Sequence, residues 1–125
     1  MREIKFRAWH RDNKCWLDSV CVYSDGSWVG TLIEERGEVS GYDERECDLM
    51  QYTGLKDKNG VEIYEDDIVN RKNNPDLHCL VYFDERDFSW RLAVNGDKQY
   101  DKTYPLMFAD EVIGNIYENQ ELINE

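Results

Sequence analysis

The chain has 125 residues, 41% of them hydrophobic, with four Trp, eight Tyr and four Phe. That is the length of one domain, with enough apolar material for a core, and it excludes wholesale disorder. A formal net charge of −12 repels phosphate backbones, so non-specific nucleic-acid binding is disfavoured.

In chain order, Ile4, Phe6 and Ala8 alternate with Glu3, Lys5, Arg7 and Trp9, the period of a half-buried strand. Trp9 falls on the polar side or at the strand end. Charge throughout Met1 to Trp9 is unlike a secretory signal, and no apolar run nears the roughly 20 residues that span a bilayer. The expected location is the cytoplasm, with no membrane partner. Through Lys14 five basic residues stand against two acidic ones, and after it ten stand against twenty-five. The basic start is therefore expected to pair with acids elsewhere in the chain rather than with nucleic acid.

Residues 20–23 and 27–33 read as strands around the turn Ser24-Asp25-Gly26. Residues 34–48 are polar and weakly periodic, and are expected to form an exposed connection. Asn59-Gly60 suits a tight turn, with positive φ tolerated at both positions. Asn73 to Asp76 reads as a loop. Leu77–Phe83 and Phe88–Val94 flank Asp84–Asp87 as a second hairpin, and Asn95-Gly96 marks a further turn. A short helix fits Pro105 to Asp110, the run 111–117 is the last apolar strand, and 118–125 is a polar tail. The pattern predicts a mainly β fold, at its limit α+β: a small antiparallel sheet or partly open barrel with hairpins and at most short helices. No linker or repeat divides residues 1–125, so a single domain is expected.

Three blocks in this order resemble the YopX family of phage and prophage proteins. The first is Met1-Arg-Glu-Ile-Lys-Phe-Arg-Ala-Trp9. The second is Leu49-Met-Gln-Tyr-Thr-Gly-Leu-Lys-Asp-Lys-Asn-Gly60 with Glu62-Ile-Tyr-Glu65 and Asp67-Ile68. The third is Glu111-Val-Ile-Gly-Asn-Ile-Tyr-Glu-Asn119 with Glu121-Leu122. The chain departs from the family where His10, Asp66 and Gln120 stand in place of an acid, a Gly and a Pro. A Gly at position 66 implies a turn of positive φ, which Asp tolerates better than most residues. The resemblance implies a mainly β fold, a phage or prophage origin and self-association, and it brings no catalytic mechanism.

Candidate chemistry is sparse. No catalytic residue is assigned: the chain has no GxSxG elbow and no GxxxxGK[ST] loop. Cys15, Cys21, Cys47 and Cys79 form no CxxC pair, and His10 and His78 complete no zinc spacing, so no cofactor is expected. The cysteines are expected to be reduced, small buried hydrophobes. Asp57, Glu65 and Asp67 are the best oxygen ligands for Mg²⁺ or Ca²⁺. Adjacent strand residues point to opposite faces, however, and a solvated turn explains the acids as well. Trp9, Tyr52 and Tyr64 are the candidate interface anchors. The reading is a non-enzymatic phage or prophage accessory protein that binds protein as a homo-oligomer, with a host or phage protein as a further partner. Two alternatives stand beside it: a metal-dependent enzyme on phosphate esters, and an acidic nucleic-acid mimic that blocks a host enzyme.

Overall fold

Short antiparallel strands and 3₁₀ turns account for the regular structure of residues 3–123, which a computed structural model describes. The first two residues of the opening motif and the last two of the polar tail lie outside the described residues. Among the described residues there is no α-helix, and no helix is long and apolar enough to cross a membrane. The chain forms two compact units, one of residues 4–51 and one of residues 52 onward, with which Glu3 is grouped.

In the first unit, β1 (Phe6–His10) lies antiparallel between β2 (Cys15–Trp16) and the first half of β6 (Cys47–Lys56). Ala8, Leu17, Trp28 and Cys47 form its core. The alternation expected of β1 holds for Ala8, but Trp9 is only 7% exposed and is no surface anchor. It sits opposite Trp16, the two rings meeting edge-on at 4.9 Å. The Arg7 guanidinium lies 4.4 Å from the Trp16 ring centre. Each strand face is thus covered by aromatic surface, which a period of two cannot foretell. His10 is buried too: its Nδ1 accepts the Asn13 N–H at 3.0 Å, and its ring meets Tyr42 edge-on. Arg11 pairs with Asp48 at 2.8 Å.

The predicted hairpin forms from β3 (Ser19–Val22) and β4 (Trp28–Ile33). Asp25 accepts the Ser27 N–H and O–H, and Gly26 takes φ +91°. Part of the segment read as a connection is a strand: β5 (Val39–Tyr42) pairs with β4. Its residues alternate between exposed and half-buried. Tyr42 packs on the core while Val39 is exposed and Ser40 and Gly41 add no apolar side chain, so the segment offers no apolar period to read.

The second unit contains the rest of β6, β7 (Glu62–Tyr64), β8 (Asp67–Arg71), β9 (Asn74–Asp84), β10 (Ser89–Val94), β11 (Thr103–Pro105) and β12 (Ala109–Asn115). Five of these form a sheet in the order β11-β10-β9-β8-β12. Val69, Cys79, Val81 and Leu92 on one face pack with Ile63, Leu106 and Ala109. Leu80, Tyr82 and Ala93 on the other meet Ile116 and Ile123. Burial on both faces explains the unbroken apolar run at 79–82, whereas Phe83 at its end is 38% exposed. Each fully buried aliphatic there contributes roughly 1.5–3 kcal/mol.

The Asn73–Asp76 loop is shorter than expected. Asn73 takes φ +68° in a tight turn, and β9 already begins at Asn74. The helix expected near Pro105 is a 3₁₀ turn, Leu106–Phe108. The tail is tied down as far as Ile123: another 3₁₀ turn, Gln120–Leu122, places the Leu122 carbonyl 3.0 Å from His78 Nδ1. Cys47 and Cys79 are buried, but Cys21 is exposed and Cys15 half-buried, contrary to a uniformly buried set.

Candidate protein-binding surface

The middle motif is a device for bending one strand. Tyr52 pairs with Tyr64 and Lys56 with Glu62, so β6 carries extra residues between those pairs. Gly54 sits in that bulge at φ +92°, a conformation that disfavours any side chain. Thr53 stitches it: its hydroxyl donates to the Ile63 carbonyl at 2.7 Å and accepts the Leu55 N–H at 3.3 Å. In the turn that follows, only Gly60 takes positive φ, at +82°. The mirror-image turn expected at Asn59-Gly60 occurs instead at Asn95-Gly96, where both residues are left-handed.

Two acids of this motif, Asp57 and Asp67, serve the backbone. Asp57 Oδ1 accepts the N–H groups of Asn59 and Val61, and Oδ2 accepts that of Val112, each at 2.9 Å. Burial pushes the Asp57 carboxyl up, but these three donors outweigh it and hold the group below the ordinary carboxylate range. Asp66 takes φ +70°, as its place in the motif predicts, and its carboxylate accepts the Tyr117 hydroxyl at 3.0 Å. Asp67 is buried and accepts the Tyr64 N–H at 2.8 Å. Glu65 is half-buried. Among the described residues no three His, Cys, Asp or Glu side chains are placed to hold a metal ion. Asp57, Glu65 and Asp67 are therefore not brought together as a ligand set.

Nor are the three predicted aromatic anchors a surface. Tyr52 is 5% exposed, and its ring lies 5.5 Å from that of half-buried Tyr64. Exposed aromatic character gathers elsewhere, where the core layer of β9 and β10 reaches solvent. Phe83 and Trp90 are cross-strand partners with rings edge-on at 5.2 Å. They line a shallow depression of about 370 Å³ together with Phe88 and with Thr53, Gly54 and Leu55 of the bulge. Phe88 is 79% exposed and has φ +55°. A bulky side chain at such a φ is a genuine outlier, costing on the order of 1–3 kcal/mol, and it persists only where its surroundings over-determine it.

The surroundings do so here. Asp84 accepts the Arg86 N–H and Nε–H at 2.9 and 3.0 Å through one oxygen, and Arg86 Nη2 and the Tyr82 hydroxyl at 2.7 and 2.9 Å through the other. Arg86 holds the Asp84 carboxyl far below its ordinary range. Asp87 accepts the hydroxyls of Ser89 and Tyr100 at 2.7 and 2.8 Å, which lower its pKa and raise that of Tyr100. The Arg91 guanidinium stacks 4.3 Å from the Tyr100 ring centre. The turn is thus clamped by its charged residues while its aromatic residue projects outward. Such an arrangement costs little ordering entropy on binding. Phe88 is not marked in the sequence, because nothing local separates an exposed aromatic from a core one.

Together these features define a small protein of short antiparallel strands, whose middle motif is built around a glycine bulge. A sequence model of the family described as YopX protein matches residues 5–124, and the chain belongs to that family. It is similar in structure to protein EF1440 from Enterococcus faecalis, with 27% identity and a TM-score of 0.59 over 99% of this chain and 100% of that one. It is also similar to protein yopX from Bacillus subtilis, with 20% identity and a TM-score of 0.58 over 100% of this chain and 98% of that one. No match is found among curated protein sequences.

Proposed function

We propose that the protein is a non-enzymatic accessory protein of the phage or prophage repertoire that works in the host cytoplasm by binding protein. A second copy of itself occupies the surface around Phe88. The observation that carries this reading is Phe88: a strained, exposed aromatic, held by a clamped turn beside Phe83, Trp90 and Leu55. Rigid aromatic anchors of this kind dominate interface energetics. Phe88 replaces the buried Trp9 and Tyr52 and the half-buried Tyr64 as the anchor.

Light scattering on the eluting protein tests the proposal. A self-associated species is expected for the natural chain, with conversion to monomer in Phe88→Gly. A natural chain that stays monomeric up to about 100 µM, where an apolar interface of useful affinity would be populated, overturns it.

A further inference from the structure

The β4–β5 hairpin of the first unit carries a second exposed surface of different chemistry. Ile33 and Val39 are direct cross-strand partners, so their side chains lie side by side on one face, yet they are 58% and 65% exposed. Beside them runs a groove of about 580 Å³ lined by Cys15, Leu32, Ile33, Glu34, Glu35 and Arg36. The closing turn is well held. The Glu34 N–H donates to the Glu38 carbonyl and the Gly37 N–H to the Glu34 carbonyl, both at 2.8 Å, and the Ser40 hydroxyl donates to Glu34 Oε1 at 3.1 Å. The hairpin end therefore presents a fixed aliphatic pair with an acidic lip of Glu34, Glu35 and Glu38 against the single cation Arg36.

We infer that this groove docks an extended segment of a partner protein in which aliphatic residues are flanked by Lys or Arg. The aliphatic residues cover Ile33 and Val39, and the cations meet the acidic lip. Local charge selects the occupant: a second copy docking through the same hairpin would set its own Glu34, Glu35 and Glu38 against these glutamates, and nucleic acid would bring phosphates. The inference does not rest on the Phe88 surface.

The test uses fluorescence anisotropy with a labelled peptide of about twelve residues, Val and Ile at its centre and Lys on each side, read at about 50 and about 300 mM salt. One control peptide replaces Lys by Glu, and a second replaces the aliphatic residues by Gly and Ser. The first peptide is expected to bind in a salt-weakened manner, and neither control to match it. Glu35→Lys with Glu38→Lys should weaken binding about tenfold or more, and Val39→Ser about threefold. Asp76→Lys with Asp101→Lys makes the same charge change at exposed sites on the second unit. That pair should leave affinity within about twofold. Circular dichroism melts confirm that each variant folds. The inference is overturned if the Asp76/Asp101 pair weakens binding as much as the Glu35/Glu38 pair. It is likewise overturned if the Gly/Ser peptide binds as tightly, or if no binding occurs at about 1 mM peptide.

Discussion

Phe88 couples stability to binding within one residue. Glycine relieves the left-handed backbone but widens the unfolded ensemble, so the two effects partly offset. Phe88→Gly is expected to leave stability unchanged or to raise it by up to about 1 kcal/mol, while abolishing self-association. Urea denaturation beside light scattering separates these outcomes, and a clear loss of stability would show that Phe88 is a packing residue.

Asp57 is the structural acid of the chain. Asp57→Ala leaves three backbone N–H groups without their acceptor and should cost about 2–4 kcal/mol. The sign with pH follows from the depressed carboxyl. Its contribution is complete above the unfolded Asp value of about 3.9 and is lost as pH falls through the lower folded value. Denaturation of the natural chain and of Asp57→Asn at pH 7 and near pH 3 checks this, since the variant should show a shallower loss.

At the scale of elements, the bulge in β6 explains the most distinctive run of the sequence. Its Gly54 points into open space, so an added Cβ meets no atom and only the backbone strain at φ +92° remains. Gly54→Ala should therefore cost about 1–2 kcal/mol by backbone strain alone. A calorimetric Tm unchanged from that of the natural chain would contradict that account. The Thr53 hydroxyl and the Asp57 carboxylate flank the same bulge. The run Tyr52 to Asp57 thus reads as one bent strand and its turn, not as a phosphate loop.

For the whole molecule, charge separates the two proposed surfaces. Copies carrying −12 each repel one another beyond the contact itself, and salt at about 0.15 M already shortens that repulsion to about 8 Å. Self-association through Phe88 should therefore strengthen as salt rises, whereas docking of a cationic segment on the β4–β5 hairpin should weaken. Sedimentation equilibrium across a salt series reads the first effect, and weakening of self-association with salt would argue for an ionic interface instead.

Much of the fold was legible in the residues because its causes are local. Alternation placed Ala8 inside, Asp25-Gly26 and Asn95-Gly96 turned the chain, and the motif position of Asp66 foretold its positive φ. The strand at Val39–Tyr42 was not legible, because Val39 is exposed and Ser40 and Gly41 add no apolar side chain. The candidate surface was less legible still. Composition, turn chemistry and the ordered motifs by themselves determined the β class and the family. Only the tertiary structure decided that Trp9 and Tyr52 are covered, that Asp57 answers three backbone donors, and that Phe88 faces solvent. The reason is physical: whether an aromatic is an anchor or a core residue depends on which distant strands cover it, and that information lies outside any local window.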